Sequence, residues 1–335
     1  MNAAAMTSFS PAAFLRRLWA ASPPMMVSAA AHLVVLAAFV VLAFVDQRVV
    51  NGQLTWIKPA KFAISGAVYL VTLAWVMTHI EGRRRALSVV SWVTGVSLAL
   101  EQGLVTMQAA RGVVSHFNVS TPFDERVWVV MGATIGVFWL VGLAVPFLLL
   151  RQRFADPALG SALRAGVIVA MIGAAMGGLM PSPSRAQLET LKRGERPERV
   201  GAHAVGVKDG GAGLPVMGWS TEGGDLRIAH FFGLHALQAL PLAGVLIRRR
   251  GARRGLGGEA QRRLVRIATA GYLGLIGVLT VQALRAEPLI APSPFTLGLL
   301  GALAAAVGLA WAVASRRPLQ VQVTAGGRYS AASAA

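Results

Sequence analysis

Long apolar runs separated by short polar segments dominate the hydropathy pattern of this chain. Eight of these runs have the length of about 20 residues that an α-helix needs to cross the hydrocarbon core of a bilayer. The pattern therefore predicts an all-α fold, a polytopic transmembrane helical bundle. The predicted spans cover residues 26–45, 60–80, 87–110, 127–150, 161–180, 228–247, 264–284 and 294–314.

The composition supports the membrane class and excludes several others. The chain is 55% hydrophobic and 14% charged, whereas a soluble domain carries about 25% charged residues. The net charge of +18 could indicate nucleic-acid binding, but the arginines cluster at the ends of apolar runs, where they act as topology signals. We therefore expect a lipid bilayer as partner and no nucleic acid. The absence of cysteine excludes disulfides, thiolate metal sites and thiol catalysis.

Arginine clusters in the short loops predict the orientation of the chain. The loops after spans 2, 4 and 6 are dense in arginine, and such loops face the cytoplasm. Both tails, 1–25 and 315–335, are then cytoplasmic, and we expect the second to be disordered. The pattern places the protein in a bacterial-type inner membrane. Trp56 and Trp219 precede spans 2 and 6 in corresponding positions, which hints at two four-helix halves.

A long connection, residues 181–227, separates a first membrane part (26–180, five spans) from a second (228–314, three spans). The orientation puts this long loop on the outer, periplasmic side. Residues 186–193 have an amphipathic helical pattern, and the part after residue 201 is rich in glycine. Because it also holds His203, Asp209 and Trp219, we interpret it as a lid or binding loop, with a disordered connection as the alternative.

Span 3 carries the strongest chemical signal. Thr94, Ser97, Glu101 and Gln108 fall on one face of this helix, and Glu101 lies well inside the hydrocarbon. An ionised carboxylate at that depth costs several kcal/mol unless it is paired, protonated or in contact with water. We therefore predict that Glu101 faces the interior of the bundle and marks a functional site.

Spans 2 and 6 carry further polar side chains. In span 2, Lys58 and Lys61 lie near the outer end and Tyr69 lies deeper. In span 6, His230, His235 and Gln238 project to one side, and Asp225 is placed to cap the helix. At 1.5 Å per residue, Tyr69, Glu101 and His235 all lie about 13 Å below the outer surface. The three helices are thus predicted to line a pocket open to the outside.

We assign roles in this pocket by chemistry. Glu101, His235 and Tyr69 are the candidate catalytic residues, because a desolvated carboxyl beside an imidazole can exchange protons. The candidate substrate-binding residues are Lys58, Lys61, Gln108, Arg111, His230, Gln238 and Trp219. The cations at the mouth favour an anionic or amphiphilic small molecule.

Several functions fit this pattern. The leading hypothesis is a membrane-embedded enzyme or ligand-binding protein with an outward-facing site. The alternatives are an ion- or proton-coupled transporter and a non-catalytic sensor or assembly subunit. Metal binding through His203, His230, His235 and Glu101 is chemically feasible, but their spacing matches no recognised ligand pattern, so no metal or other cofactor is assigned.

Other residues are interpreted as structural. We expect Asp124 to be a solvated cap of span 4, and His32 to be an ordinary interfacial histidine, while His116 is left open. Spans 5 and 8 are rich in glycine and alanine, which favours close packing against neighbouring helices.

Overall fold

The computed structural model describes residues 10–315 and two short carboxyl-terminal strands, Gln322–Val323 and Tyr329–Ser330. Eight of its helices are long and apolar enough to cross a membrane, which confirms the predicted transmembrane bundle. The prediction of a disordered tail at 315–335 falls largely outside the described residues, as do residues 1–9 of the amino-terminal tail.

The helices follow the predicted spans closely, with shifts of a few residues at their ends. In chain order they are α1 (Pro11–Ala21), α2 (Pro23–Val45), α3 (Ile57–Met77), α4 (Arg84–Ala110), α5 (Pro122–Gly142), α6 (Ala144–Arg151), α7 (Pro157–Met176), α8 (Arg185–Lys192), α9 (Leu226–Arg253), α10 (Gly258–Leu284) and α11 (Pro294–Ala314). Spans 1 to 8 are α2, α3, α4, α5 with α6, α7, α9, α10 and α11.

Besides the helices, the described residues form short antiparallel pairs of strands. Strand β1 (Val49–Val50) pairs with β2 (Gln53–Leu54), and β3 (Ala204–Val205) pairs with β4 (Gly224–Asp225). The two carboxyl-terminal strands pair with each other. The first pair closes the connection between spans 1 and 2, and the second ties the long loop to the start of α9.

Local sequence signals explain where several helices begin. Five helices in the described residues start at a proline that follows a capping side chain, which is Ser10, Ser22, Thr121, Asp156 or Ser293. The cap satisfies backbone N–H groups of the first turn, and proline has no N–H to satisfy. Asp225 caps α9 as predicted, and α8 confirms the expected amphipathic helix.

Two departures from the predicted spans have local causes. Span 4 is divided at Leu143, because Pro146 offers no N–H to the carbonyl of residue 142. Helices α9 and α10 run on through most of the arginine-rich segment 248–263, leaving only residues 254–257 as the connection. Arginine is a good helix former, and its long side chain reaches the polar boundary from a helical backbone.

The bundle has two ends that differ in chemistry. The loop end is the membrane face at which α3, α5 and α9 begin, and it carries the long loop. The opposite end carries the arginine-rich connections. Helices α2 to α5 pack mainly on one another, and α7, α9, α10 and α11 form the second group, so the packing divides into two sets of four spans.

Small residues in span 5 allow the closest helix contact. Gly173 of α7 and Gly233 of α9 face each other so closely that a Cβ on either would overlap the other backbone. This confirms the packing predicted for span 5. The glycines of α11 instead face open space, and its window of apolar residues is not buried at all, so span 8 lies at the periphery.

Candidate functional site

The long loop is folded against the loop end of the bundle. Its backbone is tied to the connection after α4, where Val119 N–H donates to Glu198 and Val200 N–H donates to Phe117. It also returns to the start of α9, because Leu226 N–H donates to the carbonyl of His203. These bonds hold the loop over the ends of spans 2, 3 and 6.

Lys61 connects span 2 directly to this loop. Its ammonium donates to the carbonyl of Met217 at 2.8 Å and to Oε1 of Gln53 at 2.9 Å. Gln53 in turn donates to the carbonyl of Val216 at 3.0 Å. Lys61 thus lies partly buried beneath the loop, and among the described residues it has no carboxylate partner.

Lys58 lies one helical turn nearer to the end of the same helix. Its Nζ is 3.2 Å from Nδ1 of His116, which follows α4. Ser115 Oγ lies 3.0 Å from the same ring nitrogen. The next residue, Phe117, has a φ of +63°, a strained conformation for a bulky side chain of the kind found near functional sites. In the described part of the chain, Lys58 forms no ion pair.

His203 enters the same region from the long loop. Its ring lies 6.3 Å from that of His116 and 4.9 Å from that of Phe117, measured between centroids. Nδ1 of His203 is 2.6 Å from Oδ2 of Asp209, whose carboxylate also accepts from the N–H groups of His203 and Ala204. Within the described residues, Nε2 of His203 has no hydrogen-bond partner.

Arg227, at the start of α9, is the fifth member of this group. It is paired with buried Asp225, with 2.5 Å between Nη2 and Oδ2. The charges of Arg227, Lys61 and Arg199 all act on Lys58. We define the basic cluster as Lys58, Lys61, His116, His203 and Arg227.

The basic cluster has a positive potential that affects its histidines. Burial lowers the pKa of His116 well below its ordinary value, and Lys58, His203 and His230 shift it in the same direction. Burial also lowers the pKa of His203, against the opposing effect of Asp209. Burial would raise the pKa of Asp209, but hydrogen bonds from His203 and the backbone hold it well below its usual range. The pair is therefore a neutral imidazole and an ionised carboxylate near pH 7.

Beside the cluster lies a cavity of about 280 Å³. It is bounded by the β1–β2 connection, by residues 112–120 and by the long loop, and its polar lining includes Asn51, Asn118 and Arg199. Arg199 donates to Oδ1 of Asn51 at 2.8 Å and, like the two lysines, has no carboxylate partner among the described residues. Glu198 also lines the cavity, so its lining carries one acidic and one basic side chain.

The three predicted catalytic residues lie deeper in the bundle. Glu101 is 2% exposed, which confirms that it faces the interior. Tyr69 packs edge-on against Phe138, and His235 stacks on Phe231 at 4.1 Å while its Nδ1 bonds the carbonyl of that residue. No hydrogen bond or ring contact among the described residues joins Glu101 to Tyr69 or His235. Oε1 of Glu101 is buried without a partner.

Gln108 and Arg111 are engaged by Asp124. Gln108 Nε2 donates to Oδ1 of Asp124 at 2.9 Å, and Arg111 Nη1 donates to the same oxygen at 2.5 Å. The expectation that Asp124 is a solvated cap is wrong. Thr121 caps α5, and Asp124 is 2% exposed, because its carboxylate faces α4 and receives these donors there.

The remaining predicted side chains connect helices. His230 Nδ1 is 2.8 Å from the carbonyl of Gly173 in α7, and Gln238 donates to Thr72 Oγ1 of α3 at 3.1 Å. Trp219 packs edge-on against Phe231.

The interfacial assignment of His32 is also wrong. Its side chain is 3% exposed and lies between spans, with the ring against Gly66 of α3. Nδ1 of His32 is 2.7 Å from the carbonyl of Ser28, one turn earlier in α2. A small residue on the neighbouring helix makes room for the ring, and hydropathy along one segment does not report that space.

The sequence interpretation missed the central part of the site. It named Lys58 and Lys61, but it left His116 open and did not assign a role to His203, Asp209 or Arg227. Two signals were present: a histidine and an aspartate six positions apart in a glycine-rich loop, and an arginine at the start of span 6.

Comparison with known proteins finds no matching family model, no similar curated protein and no similar solved structure. Within the described residues, no group of three or more His, Asp or Glu side chains is arranged to hold a metal ion. The interpretation of the site therefore rests on its own geometry.

Proposed function

We propose that this membrane protein binds a small anionic molecule, or the anionic head group of an amphiphile, at the basic cluster and acts on it there by acid–base chemistry. One observation carries this conclusion. Lys58 and Lys61 are partly buried beneath the loop and have no carboxylate partner among the described residues. Because an unpaired cation away from water is costly, an anionic ligand completes the site.

The acid–base group is His203. Asp209 holds Nδ1–H and leaves the lone pair of Nε2 free, which is the arrangement of an imidazole that accepts a proton. In the proposed step the O–H bond of a ligand hydroxyl or of water breaks, and its electron pair stays on oxygen. The proton forms an N–H bond at Nε2, and the charge of the imidazolium is balanced by Asp209.

The loop end faces outward in this proposal, toward the periplasmic side of a bacterial-type inner membrane. The arginine-rich connections at the opposite end support that orientation. The long loop then covers the ligand from outside, and both termini are cytoplasmic. Tyr69, Glu101 and His235 are proposed as a separate polar layer beneath the cluster, because the carboxyl of Glu101 is buried and free to bond a ligand or water.

Ligand-induced stabilisation tests the proposed anion site. The purified protein in detergent is heated with inorganic phosphate, glycerol phosphate or succinate, and with choline as a cationic comparison. A ligand at 100 times its Kd stabilises the folded state by about 2.7 kcal/mol, which raises the melting temperature. We expect the anions to stabilise the wild-type protein and choline to have no effect.

Two variants locate the binding. Lys58→Gln should lose the stabilisation, whereas Lys208→Gln should keep it, because Lys208 is an exposed lysine of the same loop. Equal stabilisation of the wild type and both variants would contradict binding at the basic cluster.

A further inference from the structure

A cavity at the opposite end of the bundle, far along the helices from the basic cluster, has a volume of about 530 Å³. That volume is within the usual range for ligand sites. Its lining includes four arginines and no acidic residue. The main lining residues are Arg151, Arg153, Arg164, Arg262, Leu150 and Phe154.

The connection between α6 and α7 builds this cavity around Arg164. From within α7, the guanidinium of Arg164 donates to the carbonyl of Leu149 at 2.9 Å and to that of Gln152 at 2.6 Å. It also lies over the ring of Phe154, 5.0 Å from the centroid. These neutral groups fix the positive charge in position.

Charge compensation around the cavity is incomplete. Arg262 is paired with Glu259, with 3.0 Å between Nε and Oε2. Arg151 lies over the ring of Phe147, and neither it nor Arg153 or Arg164 has a carboxylate partner among the described residues. Three guanidinium groups that lack a carboxylate partner in the described part of the chain therefore face one cavity, and guanidinium is the side chain best suited to bind phosphate oxygens.

The surface beside the cavity is apolar. Leu150 lines the cavity and is 60% exposed, and Phe147, one turn earlier in α6, is 51% exposed. Both belong to a helix that is long and apolar enough to span a membrane, so we expect their exposed faces to contact lipid chains. A phosphate group bound in the cavity would therefore lie next to an apolar surface that can contact acyl chains.

We infer that this cavity binds the head group of an anionic phospholipid, with the phosphate among Arg151, Arg153 and Arg164 and the acyl chains along Leu150 and Phe147. Basic pockets between spans on the cytoplasmic side suit such head groups. The site is independent of the basic cluster, because it lies at the other end of the helices and shares no residue with it.

Native mass spectrometry of the full-length protein tests this inference. The protein is titrated in detergent with phosphatidylglycerol and, separately, with phosphatidylcholine. We expect phosphatidylglycerol to form adducts at several-fold lower lipid concentration. The double variant Arg151→Gln/Arg153→Gln should weaken phosphatidylglycerol binding by roughly tenfold. Both side chains are exposed, and an unchanged melting temperature will show that the variant is folded.

The matched control is Arg249→Gln/Arg250→Gln, which removes two exposed charges at the same end but outside the cavity. It should retain phosphatidylglycerol binding. Equal binding of the two lipids, or equal loss in the two double variants, would overturn the inference. Displacement of the lipid by millimolar inorganic phosphate would overturn the lipid assignment and identify a site for free phosphate.

Discussion

Nδ1 of His203 lies 2.6 Å from Oδ2 of Asp209, six residues further along the same loop. The carboxylate also receives the backbone N–H groups of His203 and Ala204, so it closes the turn and fixes the imidazole at once. The ring is thereby held near His116 and Lys58, which arrive from two other parts of the chain.

Asp209→Asn should lower the pKa of His203 further, because it removes the negative charge that favours the imidazolium. Asn retains an oxygen that can accept the Nδ1–H bond, so the turn is expected to persist. Lys58 and Arg227 shift its pKa in the same downward direction. Neutral imidazole reacts with diethyl pyrocarbonate, so modification of His203 at pH 5.5, quantified by mass spectrometry, should be faster in the variant.

Glu222→Gln is the control for this experiment, since Glu222 is an exposed carboxylate of the same loop. It should leave the pH dependence at His203 unchanged. An identical pH profile in wild type and Asp209→Asn would show that the two side chains are not electrostatically coupled.

Acidification from pH 7.5 to pH 5.5 should destabilise the loop end. His116 and His203 have pKa values below the ordinary 6.5 when folded, whereas the unfolded chain binds protons near that pH. The unfolded state therefore holds more protons in this window, so the free energy of unfolding increases with pH and decreases on acidification.

The melting temperature should fall between pH 7.5 and pH 5.5, and it should fall less in His116→Gln than in the wild type. His79→Gln, at the opposite end, serves as the control. If the melting temperature depends on pH equally in both variants, His116 does not cause the acid destabilisation.

Asp124→Ala should be strongly destabilising, by about 3–5 kcal/mol, because it leaves the donors of Gln108 and Arg111 without their buried acceptor. Glu125→Ala removes the exposed partner of Arg196 and should cost at most about 1 kcal/mol. Thermal or denaturant unfolding in detergent measures both. If the two variants lose similar amounts of unfolding free energy, the buried contacts of Asp124 contribute little to stability.

Glu101→Gln should preserve the fold, with a melting temperature equal to or above that of the wild type. An unpaired ionised carboxylate in the membrane interior costs several kcal/mol, and the neutral amide has nearly the same shape. Glu101→Lys should reduce the yield of folded protein, because the longer cation has no partner there. Glu195→Gln, on the exposed part of the loop, should change neither the melting temperature nor the yield of folded protein. A large loss of folded protein in Glu101→Gln would instead show that the ionised carboxylate is structurally required.

Cysteine labelling should establish the orientation, and the cysteine-free chain provides a clean background. With the loop end outside, Lys208→Cys should react with a membrane-impermeant maleimide in intact spheroplasts. Gly257→Cys, in the connection between α9 and α10, should react only after the membrane is permeabilised. The reverse pattern would place the basic cluster on the cytoplasmic side.

The sequence by itself determined the membrane architecture. A run of about 20 apolar residues satisfies its backbone hydrogen bonds internally and avoids water, so each span follows from its own residues. The cap at Asp225 and the interior-facing position of Glu101 are similarly local consequences of sequence. Lys58 and Lys61 could be named in advance, because their charge and their place at the end of span 2 are properties of one segment.

Only the tertiary structure decided which side chains meet. His116 follows α4, His203 lies in the long loop and Arg227 lies at the start of α9, and their distances depend on how the long loop folds back over the helix ends. Periodicity within a helix reports which side a residue faces but not which helix lies there. For the same reason Asp124 was expected in solvent and lies instead against Gln108 and Arg111. Helix formation is decided over a few residues, whereas this site depends on contacts between distant segments, such as Lys58 with His116, 58 positions apart, and Lys61 with Met217, 156 positions apart.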